Sequence, residues 1–190
     1  HQATRSVNSI QTAAYWEVGR RVVEFEQKGR KRAVYGEALL QRLSADLTSR
    51  LGRGFSVDNL ELMRRFYLSW PPSKISETLS RKSARPVRRP KSETVSRKLS
   101  SGELVKALVL SWSHYVRLLG VDNLHARSFY ATEALRGGWS VRQLNRQIGS
   151  QFYERTALSR NKAAVLIKGH HPQPGDITTP EEEIKDPYVL

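Results

Sequence analysis

Arg142, Gln143, Asn145 and Arg146 fall within five positions of one another, with Gln151 and Arg155 further along the same stretch. These residue types read nucleic acid. Arginine can bond guanine through two donors, and asparagine or glutamine can do so with adenine. The same groups hold phosphates equally well. A second set, Asn59, Arg64 and Arg65, stands in an echo of the same phrase, and Arg88 and Arg89 lie in a basic stretch between the two. The chemistry these sets could do is non-covalent recognition of a polyanion. The alternative is that Arg142 and Arg146 form a solvated face or pack on acids of another subunit, and spacing alone leaves both open.

The echo says what must position these residues. Gly54-Phe55-Ser56-Val57-Asp58-Asn59-Leu60 and Gly138-Trp139-Ser140-Val141-Arg142-Gln143-Leu144 share glycine, aromatic, Ser-Val, two polar residues and leucine. Ser56 and Ser140 are N-caps by type, because a hydroxyl can accept from an orphan amide of the first turn. Ser140 with Gln143 predicts a capping box, and Ser56 with Asn59 a weaker one. Phe55 and Trp139 then sit at staple positions, with Leu60 and Leu144 as partners. A glycine turn followed by such a helix predicts the second helix of a helix-turn-helix. The second copy is the better reader, since Asp58 and Glu61 would repel phosphate in the first.

Charge agrees with that chemistry. The 190 residues carry 32 Lys or Arg against 18 Asp or Glu, a formal +14. Such a surplus favours nucleic acid first and an anionic membrane surface second. From Trp70 to Ser101 there are nine Lys or Arg and two acids, a surplus of seven, half of the total. That stretch also holds Pro71, Pro72, Pro86 and Pro90. It predicts a flexible basic linker over 71–102, containing the imperfect repeat Ser76–Lys82 and Ser92–Lys98. There is no cysteine, which excludes disulfides, thiolate zinc sites and cysteine nucleophiles. No apolar run reaches the ~20 residues of a membrane span, and the N-terminus lacks the apolar core of a signal peptide. A cytoplasmic protein with no membrane partner is expected.

Periodicity predicts an all-α fold of two helical lobes. Val7, Ile10, Ala14, Val18, Val22 and Phe25 make one stripe on a helix over about 4–28. Leu39, Leu40, Leu43, Leu47 and Leu51 mark a second helix, and 55–70 a third, stopped by Pro71-Pro72. Residues 1–70 thus form a first lobe with a helix-turn-helix-like unit, and 103–160 a second. In the second, 104–110 and 112–119 are helical, Asp122 caps a helix with Leu124, Ala131 and Leu135 inward, and the helix opened by Ser140 runs to about Thr156. Residues 161–190 read as a tail or connector, with a short β-hairpin around 165–177 as an option.

Motifs for bond-making are scarce. No phosphate-binding glycine loop of the P-loop or dinucleotide type occurs. Glu183-Ile184-Lys185 matches the Glu-x-Lys of metal-dependent nucleases only formally, with no preceding strand and no upstream acidic partner. His114 and His125 stand singly, and His170-His171 reads as surface, so no metal, cofactor or catalytic residue is expected. Trp16, Trp70, Trp112 and Trp139 could stack on unpaired bases, but aromatics at helical spacing read first as core.

The stretches Tyr15–Arg20, Gly54–Tyr67, Leu110–Tyr115, Arg127–Tyr130, Gly138–Leu144 and Lys185–Leu190 occur in this order. Together they resemble the N-terminal region of the bacterial YhcG family (the DUF1016 group), over nearly the whole chain except the basic linker. The resemblance implies a region that precedes a C-terminal PD-(D/E)xK nuclease-like domain, with Lys185-Asp186-Pro187-Tyr188-Val189-Leu190 similar to the junction into it. It implies a DNA-binding or targeting module that is non-catalytic by itself, with duplex DNA and its own nuclease domain as partners. A dimerisation or partner-docking domain, with a homodimer as its product, is the alternative.

Overall fold

The computed structural model describes residues 2–28, 33–82 and 99–176. Its regular structure is ten helices, with no strand among the described residues, so the fold is all-α. In chain order they are α1 (Gln2–Lys28), α2 (Ala33–Leu51), α3 (Val57–Ser69), α4 (Pro72–Lys82), α5 (Ser101–Ala107), α6 (Trp112–Leu119), α7 (Leu124–Gly137), α8 (Val141–Gly149), α9 (Phe152–Leu158) and α10 (Lys162–His170). They fall into two compact units, one from Arg5 to Ser111 and one made of Trp112 onward together with the first four residues.

The first unit is organised by α3. Ser56 caps it, its Oγ accepting the Asn59 N–H at 3.2 Å. Leu60, Met63 and Phe66 are fully buried, each worth about 1.5–3 kcal/mol of apolar transfer. The helix α2 packs on one side. Across the other, the Trp16 ring meets Tyr67 at 5.0 Å and its indole N–H donates to the Trp70 carbonyl at 2.8 Å. The α1 face that does this keeps Val22 of the expected stripe, which is buried, and otherwise differs from it. Ser9, Thr12, Ala13, Trp16 and Val23 are buried, whereas Val7, Ile10 and Phe25 are 53, 59 and 52% exposed. Small side chains, which hydropathy undervalues, let a neighbouring backbone approach closely. The extreme case is Gly19, where a methyl would collide with the Met63 carbonyl.

The expected linker begins as structure. Pro72 opens α4, a position where its missing N–H costs nothing. Ile75 is buried and α4 packs on α5, so the first repeat copy, Ser76–Lys82, is helical. The second copy, Arg88 and Arg89 lie outside the described residues. Ser100 and Glu103 form a full capping box on α5, and that helix belongs with the first unit rather than the second.

In the second unit several expected boundaries move. Asn123, not Asp122, caps α7, its Oδ1 accepting from His125 and Ala126 N–H groups at 2.9 and 3.2 Å. Leu124 and Leu135 are exposed, and α7 instead buries Ala126, Tyr130, Glu133 and Ala134. Gly138, left-handed at φ 60°, ends α7 and starts the three-residue turn into α8. The long helix expected to Thr156 breaks after Gly149. Gln151 takes the left-handed conformation at φ 52°, and α9 sets off anew. Glycine and serine at 149–150 weaken the helix there. The expected hairpin around 165–177 is instead α10, capped by Asn161 accepting from Ala164 N–H at 3.1 Å.

Gly19→Ala is expected to cost about 1–3 kcal/mol through overpacking. Gly149→Ala, whose new methyl meets nothing within 4 Å, should be neutral or stabilising by up to about 1 kcal/mol. Urea unfolding of the two variants beside wild type checks both, and equal stabilities would remove the close α1–α3 approach from the account.

Candidate nucleic-acid interface

The second copy of the echoed phrase builds the site. Trp139 is buried, its ring 5.9 Å from Phe152 and 5.7 Å from His170. Its carbonyl is bonded by His114 Nε2 at 2.9 Å. Ser140 caps α8, accepting from Gln143 N–H at 3.1 Å, and its hydroxyl donates onward to the Asp176 carbonyl. The reciprocal half of the capping box is not made. Gln143, expected on the outer face, is buried, and its amide donates to the carbonyls of Gly169 and His170 at 3.3 and 3.4 Å. Gln147 is buried beside it and donates to Gly169 at 2.8 Å. Those carbonyls end α10 and have no partner within that helix, so the two amides meet a need that every helix terminus has.

The outer face of α8 holds Arg142 and Asn145, both exposed and three residues apart. Arg146 lies at the margin and is engaged. Its Nε and Nη2 bond the two carboxylate oxygens of Asp176 at 3.1 and 2.6 Å. Oδ2 of Asp176 also accepts Gln173 N–H at 2.8 Å. The Arg146 hydrogen bond holds the Asp176 carboxyl below the usual aspartate range, against the opposing effect of burial. Arg155 is exposed on α9, away from the expected continuous helix; its Nη2 donates to Ser150 Oγ at 2.9 Å and its guanidinium lies 5.6 Å from the Phe152 ring. Gln151 is spent on the turn between α8 and α9.

The first copy is placed differently. Asn59 is buried and its side chain donates to the Gly54 carbonyl. Arg64 is held by Glu26 at 2.8 Å and Glu61 at 3.0 Å, and the Glu26 bond raises its already high basicity. Of that set only Arg65 is exposed. The aromatics Trp16, Trp112, Trp139, Tyr15 and Tyr115 are core.

Two contacts escaped sequence reading. Asp176 is 30 residues from Arg146, and His170 Nε2 meets Glu133 Oε2 at 2.7 Å across 37 residues. No short spacing carries either. No group of three or more potential metal ligands occurs among the described residues, and Glu183 and Lys185 lie outside them.

The described residues form an all-α chain in which α8 follows α7 through a three-residue turn. The chain belongs to the DUF1016 N-terminal domain family, which matches residues 1–155. It is 50% identical over 192 residues to the Escherichia coli (strain K12) protein named "Putative nuclease YhcG", an alignment covering 100% of this chain and 50% of that protein. The chain thus spans about half the length of that relative. No solved structure gives a significant match.

The Asp176 carboxylate should stabilise the fold at neutral pH and lose that contribution as pH falls through its depressed folded-state value. Asp176→Asn is expected to cost about 1.5–3 kcal/mol at neutral pH, the worth of a charge-assisted contact. It should also flatten the acid side of the stability profile. Thermal melts followed by circular dichroism between about pH 7 and pH 2 read this directly, and parallel profiles for the two proteins would contradict it.

Proposed function

We propose that this chain is the DNA-binding part of a YhcG-like nuclease and that it does not itself cleave. The observation that carries the reading is the α7–turn–α8 unit, which presents Arg142 and Asn145 outward while its inner face is fixed by Gln143, Leu144 and Gln147. The +14 charge supports it, as does the name of the relative. In this reading α8 lies toward the groove of a duplex, Arg142 and Asn145 meet base edges or phosphates, and Arg155, Arg65 and the basic 83–98 segment add phosphate contacts. Cleavage then belongs to the half of the longer relative that this chain does not match, and the protein works in the cytoplasm.

Binding of a labelled duplex of about 30 base pairs, followed by fluorescence anisotropy, should weaken steeply as salt rises, because neutralised phosphates release counterions. Arg142→Ala with Arg155→Ala should cost about tenfold or more in affinity. The equal charge loss of Arg88→Ala with Arg89→Ala should cost clearly less. If the two double variants lose affinity alike, α8 is not the groove element.

A docking or dimerisation domain of the same nuclease is the second reading, favoured by the exposure of Val7, Ile10 and Phe25 along one side of α1. Apolar side chains aligned over several turns suit a partner helix. Sedimentation across a range of concentrations should then show a mass that rises with concentration, resists salt and falls to the monomer in Ile10→Asp. A monomer at every concentration would remove the homodimer.

A further inference from the structure

Arg146 and Asp176 are arranged as a guanidinium and an anion, and the anion is the protein's own. A guanidinium offers two parallel donors that match the two oxygens of a carboxylate or of a phosphate. Asp176 fills both positions and takes a third donor, Gln173 N–H. The side chains differ in exposure: Arg146 retains 31% and Asp176 only 6%. The arginine therefore keeps an open side while the carboxylate plugs the inner one. What presents the carboxylate is slight. Residues 171–176 contain no helix or strand, and Gly175 turns there at φ 98°. Besides the Arg146 pair, the Ser140 hydroxyl at the start of α8 donates to the Asp176 carbonyl.

We propose that Asp176 is a built-in stand-in for a DNA backbone phosphate, a latch that occupies Arg146 until a duplex displaces it. The proposal rests on the DNA-binding reading above. Displacement adds one phosphate contact next to Arg142 and Asn145 and frees residues 171–176 from α8. By linkage, whatever pulls that segment away also strengthens DNA binding by the same factor. The latch thus couples occupancy of α8 to the placement of residues 171–176.

The test is a double-mutant cycle read by anisotropy on a labelled duplex of about 30 base pairs at several salt concentrations. Asp176→Asn should bind about tenfold tighter than wild type, with a salt dependence steeper by about one phosphate. Arg146→Ala should cost about twofold in the wild-type background and about tenfold in the Asp176→Asn background. Gln173→Pro, which removes one donor to the carboxylate without changing charge, should shift affinity in the same direction as Asp176→Asn by about threefold. It also serves if Asp176→Asn melts below the working temperature. If Asp176→Asn gains about the same tenfold in the Arg146→Ala background as in wild type, the effect is mere loss of a negative charge and the latch is overturned. Wild-type binding that neither Asp176→Asn nor Gln173→Pro improves also overturns it, and leaves the DNA-binding reading intact. If wild type and every variant fail to bind duplex, that reading falls and the latch with it.

Discussion

The second unit depends on two buried glutamine amides. An α-helix ends with carbonyls that have no partner of its own, and burying them unpaired costs about 1–3 kcal/mol each. Gln143 and Gln147 donate to the Gly169 and His170 carbonyls at the end of α10. Their spacing of four residues puts both on one side of α8, with Leu144 buried beside them. This contact decides which side of α8 faces in. Everything on the opposite side, Arg142 and Asn145 above all, is outward as a consequence.

The first unit solves the same positioning problem by shape instead of hydrogen bonding. Its helix α3 is capped in the same way, yet it is fixed by burial of its own Leu60, Met63 and Phe66 and by the close passage at Gly19. Its polar residues serve the fold: Asn59 closes the turn on the Gly54 carbonyl and Arg64 bridges two acids. Two copies of one phrase therefore have unlike surfaces. Glu26 and Glu61 hold Arg64 against the first unit, whereas Arg142 and Asn145 stand exposed on α8.

How much of this was legible follows from the range of each interaction. The caps at Ser56 and Ser140 act over three residues, and both were read correctly. Helical periodicity located α1, α2 and α3 to within about two residues, the usual uncertainty of helix ends. The buried side of α1 is only partly legible: Val22 of the apolar stripe is buried, but Ser9, Thr12 and Gly19 pack by being small. Gln143 reads as an outward, base-contacting residue beside Arg142, whereas its real partners are 26 and 27 residues away. Asp176 was beyond reach for the same reason, as was the helical character of α4 and α10, which packing supplies.

The family's domain match and the packing around α8 do not end at the same place. The family match stops at residue 155, while the carbonyls that satisfy Gln143 and Gln147 are at 169 and 170 and the carboxylate on Arg146 is at 176. A chain cut at the family boundary would keep every residue of α8 and lose what orients it. Its two glutamines would sit among apolar neighbours with nothing to bond, a state that favours turning the helix over or letting it melt. Evolutionary tracing of this module by the first 155 residues alone would follow α8 and miss the bracket that holds it.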